Sequence, residues 1–497
     1  MAPKQGIEII KGAMMAELAT GKVMIGHKLR RLRTTLKLSQ SDMAAELGIS
    51  ASYLNLLENN ARPVTVPILF RLGQTYDVDL RDISEDDSAR LTALLSEVFA
   101  DQALEGISMS RRDIQQLANQ HPTAANAFLT LHRAYESMRE AARSGDQISQ
   151  QSKAPRPLDA VRRVLETQAN YFPELEEAAE RFLADLQQGG QGSLLQSGSK
   201  PAQLIGWLEQ KYGVKTRVMP QSVMGSVLRE FDMHRGRLLL SENLSEPQRI
   251  FQIATQIAQL GYREVIDAVI EKVALPEDED TQTLLRMALS SYFAGAVMMP
   301  YQNFAAAARE LRHDIDALGS RFTATFEQVC HRLTSLNRPS DRGIPFFFLR
   351  VDEAGYISKR LSAGGIEFAR QGGACGRWVP HKAFRTPGHI LTQASTLEQG
   401  QKLLTIARTH RVQRTQPAHY GTPIYAIALG CDLKYVKDIC YADNIGNVKG
   451  PALTPIGLGC RVCERANCQH RGALPGGQHM RFDLSKRYSG LFDSMRS

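Results

Sequence analysis

Nowhere in these 497 residues do 18 apolar side chains follow one another, and the first residues lack the apolar core of a secretory leader. A membrane-spanning helix is therefore not expected, and the chain reads as cytoplasmic with no membrane partner. Cysteine is sparse at seven residues, and in a reducing compartment such thiols hold metals or lie buried rather than pairing as disulfides. Charge of one sign is also limited. A net +8 and pI ≈ 9.1 agree with an anionic partner without identifying one. No repeat of fixed period is visible, so a solenoid is not expected. The length itself suggests roughly three domains.

The most informative segment that is present runs from Ser39 to Pro63, SQSDMAAELGISASYLNLLENNARP. Ser39 is a good N-cap and Asp42 completes a capping box, so a helix begins at Gln40. Met43, Ala44 and Leu47 share one face, Gly48 can take the left-handed conformation that ends the helix, and Ile49 follows as an apolar plug. Ser50 caps a second helix in which Tyr53, Leu54 and Leu57 can pack inward, while Ala51, Ser52, Asn55 and Asn59 stay on other faces. Upstream, Lys28, Arg30, Arg31, Arg33 and Lys37 suit a helix lying near phosphates. Downstream, Val66, Leu69, Leu72 and Tyr76 form another helical stripe. The plain alternative is a four-helix bundle with a solvated polar face. Over residues 24 to 82 the pattern resembles the helix-turn-helix of phage-repressor-type regulators. That resemblance implies that residues 50 to 59 enter the major groove of a double-stranded operator. The DNA-contacting set is then Arg30, Arg33, Gln40, Ser50, Ser52, Tyr53, Asn55, Asn59 and Arg62.

Residues 1 to 23 show no clear pattern and read as an arm. Residues 87 to 145 carry apolar residues at helical intervals. Two breaks follow: QISQQSKAPRP (147 to 157) reads as a linker and QQGGQGSLLQSGS (187 to 199) as a flexible loop. From Pro201 a helix, strands in GVKTRVM and GRLLLSENL, and long helices in PQRIFQIATQIAQLGY and LLRMALSSYFAGAVMMPY are expected. IPFFFLRVDEAGYISKRL reads as two strands joined at Glu353 to Gly355, and GHILTQAS and PIYAIALGCDL are strand-like.

The two long helices resemble the zinc-peptidase-like domain of IrrE-type regulators, whose first helix carries H-E-x-x-H and whose second carries a glutamate ahead of a Met-Pro phrase. Here LSSYFAGAVMMP keeps the phrase. Thr255 and Gln259 stand where the histidines belong, Gln256 where the base belongs, and Leu289 near the expected glutamate. Zinc hydrolysis needs three protein ligands and a base, which Thr, Gln and Leu do not supply. No catalytic residues and no enzyme activity are therefore expected.

Cys460, Cys463 and Cys468 form a C-x2-C-x4-C run in GCRVCERANCQHR, with Gly457 and Gly459 just ahead. Three thiols so close can converge on one group, and an iron–sulfur cluster would take a fourth from elsewhere. Cys431 is preferred for that role over Cys375 because it is nearer in sequence. Zinc is the alternative, with His470 completing a Cys3His set. Cys330 and Cys440 read as ordinary buried thiols.

Three phrases, IPFFFLRVDEAGYISKR, GGACGRWVPHKAF and GLGCRVCERANCQHR, together with the order of the parts, resemble the short-chain fatty acyl-CoA regulator family of bacterial transcription factors. The resemblance implies a multidomain protein in five parts: an arm (1 to 23), an all-α helix-turn-helix DNA-binding domain (24 to 84), a helical linker (85 to 156), an α+β degenerate IrrE-like peptidase domain (157 to 335), and an α+β Cys-rich sensor domain (336 to 497). It also implies control of acetate or propionate genes with an acyl-CoA or CoA as effector, in a homo-oligomer, dimer or tetramer, on palindromic DNA. A CoA site should combine cations with aromatic walls, and Arg377, His381, Lys382 and Arg385 around Trp378, with Phe347 nearby, are the candidates. A 4Fe–4S cluster is the expected cofactor. The competing function is a redox- or iron-responsive transcription factor that uses the thiols as its sensor.

Overall fold

The computed structural model describes residues 26–36, 38–59, 61–62, 64–76, 87–104, 107, 109–144, 157–188, 199–273, 278–363, 375–398, 400–411, 422–446, 453–463, 465, 468–474 and 485. The expected arm at 1 to 23, most of the expected linker at 147 to 157, and the centre of the loop at 187 to 199 lie outside these residues. The chain divides into two compact units, Met1–Val98 with Met109–Thr130, and Phe99–Ser108 with Leu131–Ser497.

The first unit is helical. Its elements are α1 (Gly26–Thr35), α2 (Gln40–Glu46), α3 (Ala51–Glu58), α4 (Val66–Tyr76), α5 (Asp87–Phe99), α6 (Arg111–Gln120) and the start of α7 (Pro122–Ser144). The expected capping box forms: Ser39 Oγ accepts from the Asp42 amide and the Asp42 carboxylate accepts from the Ser39 amide. Ser50 Oγ caps α3 by accepting from the Tyr53 amide at 3.1 Å. Gly48 between them has φ +62, the left-handed conformation that glycine adopts without strain. Met43, Leu47, Leu54 and Leu57 meet Leu29 and Leu72 in a closed core. The segment expected to be a separate linker is not one body. α6 and most of α5 belong to the DNA-binding unit, and the division falls inside α7.

The second unit continues with α8 (Pro157–Thr167), α9 (Pro173–Gln188) and α10 (Lys200–Tyr212). A small sheet follows, made of β1 (Lys215–Met219), β2 (Arg229–Asp232) and β3 (Arg237–Ser241) in the order β1-β3-β2. The expected long helices are α11 (Glu246–Gly261) and, after α12 (Arg263–Lys272), α13 (Glu279–Met298). Then come α14 (Tyr301–Glu310), α15 (Ile315–Phe322) and α16 (Phe326–Leu333). The C-terminal part is built from β4 (Phe347–Asp352), β5 (Ile357–Ser362), α17 (Val379–Ala383), β6 (Leu391–Thr396), β7 (Lys402–Arg411), β8 (Ile424–Asp432) and β9 (Thr454–Pro455). Its strands form one sheet in the order β5-β4-β8-β7-β6-β9.

Strand alternation sorts this sheet into two apolar faces. Phe348, Leu404, Ile406, Ile427, Leu429 and Cys431 point to one face and join the same core as Ile250, Ile257, Leu289 and Phe293 of the peptidase-like helices. Phe347, Leu349, Leu403, Ala407, Ala426 and Ala428 point to the other, which Trp378, Cys375 and Ile456 cover. The two parts expected as separate domains therefore share one continuous core. Gly430 sits directly opposite Phe347 in the register, and a Cβ there would run into the Phe347 ring.

Candidate functional site

On α3 the exposed positions are Ala51, Ser52, Asn55, Leu56 and Asn59, of which 52, 55, 56 and 59 fall on one helical stripe. Asn59 Nδ2 donates to Asn55 Oδ1 at 2.9 Å, which holds two amides side by side on that surface. Arg30 and Arg62 are exposed as well. Arg33 requires a correction. Its Nε donates to Glu58 Oε1 at 2.6 Å, its Nη2 to Glu58 Oε2 at 3.2 Å and its Nη1 to Leu38 O at 3.1 Å, so the guanidinium is spent inside the unit. Gln40 also turns inward, donating to Glu58 Oε2 at 2.7 Å. Tyr53 is half-buried against the helical core, and its ring serves packing. Glu58 organises all of this and was not expected to. Burial works to raise its carboxyl, but hydrogen bonds from Arg33 and Gln40 and the Arg33 and Arg30 charges outweigh burial and hold it below the usual carboxylate range.

The peptidase frame is present and its metal chemistry does not fit. Thr255 Oγ1 donates back to Phe251 O at 2.7 Å, and Gln256 is buried. Gln259 accepts from the Arg229 guanidinium at 3.4 Å, so a cation-bearing side chain lies against one would-be ligand position. Leu289 is fully buried core.

Between α8, α11, α13, α16 and the edge of the C-terminal sheet lies a cavity of about 500 Å³. Its apolar lining includes Leu165, Phe172, Phe251, Met287 and Met299. Its polar lining includes Asn170, His331, Lys359 and His410. Asn170 is 5% exposed, and neither its amide oxygen nor its nitrogen has a hydrogen-bond partner. A buried primary amide left unpaired is costly unless something polar enters the space beside it. Arg332 also lines the cavity, but it is occupied by Glu176, to which it donates at 2.6 and 2.9 Å, and Tyr292 OH donates to the same carboxylate at 2.6 Å.

The residues expected to hold CoA do not line this cavity. Phe347 and Trp378 have no exposed surface and form the core of the far sheet face, where Trp378 Nε1 donates to Thr405 Oγ1 at 3.0 Å. They are structural, and the expectation of aromatic ligand walls there is corrected. His381 is half-buried with its basicity lowered by burial, while Lys382 and Arg385 are exposed and Arg377 is partly exposed. No sequence signal marked the cavity. Lys359 and Leu361 fall in the second strand expected in IPFFFLRVDEAGYISKRL, and no expectation attached to Asn170.

The three clustered thiols sit beyond β9. Gly457 is buried, and a Cβ on it would stand 3.0 Å from Cys463 Sγ. Gly472 N donates to Cys460 Sγ at 3.4 Å, and the buried Arg471 donates to the carbonyls of Cys460, Cys463, Ala473 and Arg465. The loop is thus wrapped around one guanidinium. Burial and the hydrogen-bonded Glu398 carboxylate push the Cys463 thiol up to about 12. The preferred fourth thiol is corrected as well: Cys431 faces the peptidase-side core, whereas Cys375 lies on the same face as Ile456, four residues before Cys460. His470 is exposed. Among the described residues no three ligand atoms of this segment lie within 4.8 Å of one another.

These features define a class: a helix-turn-helix regulator carrying a peptidase-derived scaffold fused to a thiol-bearing sheet domain. Residues 335–492 match the family described as short-chain fatty acyl coenzyme A regulator, C-terminal; residues 209–334 match the IrrE N-terminal-like domain, and residues 29–83 the helix-turn-helix. The HTH-type transcriptional regulator RamB of Mycobacterium tuberculosis is 35% identical over 460 residues, 90% of this chain and 94% of that protein. PrpR, an HTH-type transcriptional regulator of the same organism, is 35% identical over 455 residues, 90% of each chain. The propionyl-CoA carboxylase regulator of Cereibacter sphaeroides is 35% identical over 472 residues, 94% of this chain and 97% of that protein. A solved Mycobacterium tuberculosis transcriptional regulator covers 68% of this chain and 99% of its own with a TM-score of 0.62 at 34% identity. The chain belongs to the short-chain fatty acyl-CoA regulator family and is a DNA-binding transcriptional regulator. Among the described residues no helix is long and apolar enough to cross a membrane.

Proposed function

We propose that this regulator controls genes of short-chain acyl metabolism, and that its operator affinity responds to an acyl-CoA or CoA whose thioester end enters the 500 Å³ cavity. The observation that carries this reading is the unpaired Asn170 amide beside an apolar floor of Phe172, Phe251 and Met287. A short acyl chain suits the floor, and the amides of a pantetheine arm suit Asn170. The nucleotide end, too large for the remaining space, extends through the open side. The similarity to a propionyl-CoA carboxylase regulator supports the same effector class.

In this reading α3 enters the major groove with Ser52, Asn55 and Asn59 toward base edges, Leu56 toward thymine methyls, and Arg30 and Arg62 toward phosphates. Two or four copies bind a palindromic operator. The effector acts by favouring one arrangement of the paired modules. A coupling of about 1–3 kcal/mol would change affinity roughly 5- to 150-fold. Cys460, Cys463 and Cys468 hold a 4Fe–4S cluster with Cys375 as the fourth ligand, a choice supported by Cys375 sharing its sheet face with Ile456 just ahead of the thiol run. The cluster would supply a redox-sensitive crosslink between the C-terminal loop and the segment before α17.

Gel-shift titration of the upstream promoter fragment with and without propionyl-CoA or acetyl-CoA tests the proposal. The expected result is a shift of operator affinity of at least about fivefold. Equal affinity across all acyl-CoAs would overturn the effector reading, and a dependence on cluster oxidation alone would favour a redox sensor instead.

A further inference from the structure

Among the described residues Lys359 is the one lysine that lines the cavity, and the use just proposed for that space gives its amine no role. It sits on β5, two residues before Leu361, which belongs to the shared core. Its side chain is exposed and lines the cavity. Burial pushes it down to about 8, and Arg350, directly across the β4–β5 ladder, pushes the same way while Glu327 opposes. Glu327 is already engaged, with its Oε1 at 3.5 Å from Arg350 and at 3.8 Å from His331. His331 is itself held neutral by burial and by the Lys359 and Arg350 charges, and His410 completes the titratable lining on this side. Nothing among the described residues accepts a hydrogen bond from Lys359 Nζ.

We propose that Lys359 is a covalent acylation site, its ε-amine taking the acyl group from a thioester lodged in the cavity. The inference rests on the proposed acyl-CoA effector. The amine nitrogen adds to the thioester carbonyl carbon, the carbon–sulfur bond breaks, and CoA leaves as a thiolate that takes up the proton shed by the amine. The products are an amide on Lys359 and free CoA, and no oxidant or reductant is needed. An amine lowered to about 8 is unprotonated roughly 300-fold more often at neutral pH than an ordinary lysine, and the unprotonated form is the nucleophile. The reaction cancels the Lys359 charge in the cavity and leaves the acyl chain against its apolar floor. Transient occupancy thereby becomes a lasting mark.

Lys200 provides an internal comparison. Burial pushes it down to about 8 as well, but its Nζ donates to Val297 O at 3.3 Å and Met298 O at 3.0 Å, and it does not line the cavity. Low basicity alone would make both lysines react; cavity placement singles out Lys359.

The test incubates the full chain with propionyl-CoA and follows each lysine by peptide mass spectrometry, with binding measured separately by calorimetry using the non-transferable thioether S-propyl-CoA. Lys359 should acquire propionyl roughly tenfold or more faster than Lys200 or the exposed Lys382, thioether should suppress the labelling, and Lys359→Arg should remove it. Thioether binding without preferential labelling of Lys359 would overturn the inference and leave the effector reading intact. If the thioether does not bind, propionyl-N-acetylcysteamine replaces propionyl-CoA: selective labelling of Lys359 then supports the nucleophile while the CoA reading fails, and unselective labelling sinks both.

Discussion

Replacing Arg33 by alanine would strand the Glu58 carboxylate, 1% exposed in its side chain, with Gln40 as its remaining partner. Breaking one side of such a buried pair is costly because the other charge stays desolvated. The expected loss for the DNA-binding unit is about 2 kcal/mol, with the exposed face of α3 left in place. The pH dependence has a defined sign. Glu58 is held below the ordinary carboxylate range, so its stabilisation is fully present above the unfolded-state value and is lost as pH falls through the depressed folded value. Thermal melts of wild type and Arg33→Ala followed by circular dichroism should converge on acidification. Parallel curves at all pH values would show that the pair is inert. Sequence alone pointed Arg33 at phosphates because five cations in a helix look alike; which of them meets an acid from α3 depends on helix crossing, which composition does not encode.

At the scale of elements, the helix-turn-helix was legible because its signals are local. Ser39, Asp42, Gly48 and Ser50 act within three or four residues of themselves, and each does what its type dictates. The long helices and most strands were legible for the same reason. β7 was not expected, although it is the longest strand of the sheet at 10 residues, since Lys402, Arg408 and His410 interrupt its apolar run. The placing of Cys431 was hidden on similar grounds. Nearness in sequence favoured Cys431, but strand parity puts it with Leu429 on the peptidase side, and only the register reveals that. Anaerobically purified Cys375→Ser should therefore lose iron and acid-labile sulfide, while Cys431→Ser should keep them. The opposite pattern would remove Cys375 from the ligand set.

For the whole molecule, two compact units with separate cores predict two cooperative transitions rather than one. The small helical unit and the large unit should unfold separately in calorimetry. An effector that binds the cavity stabilises only the state that contains it, by RT ln(1 + [L]/Kd). Acyl-CoA at a hundredfold excess over its Kd should thus raise the transition of the larger unit by about 3 kcal/mol and leave that of the smaller one in place. A single transition, or an equal shift of both, would contradict this division.

The fused core of the larger unit explains why a scaffold that lost its hydrolytic residues was not discarded. Phe346, beside His313, and Phe348, beside His331, join one core with Leu429 of the sheet and with Phe293 and Ile257 of the peptidase-like helices, so deleting either half would bare a greasy surface on its neighbour. Identity at the metal-ligand positions departs from H-E-x-x-H, with Thr255, Gln256 and Leu289 buried inside that body. The outline was not free: it had become the floor of another building.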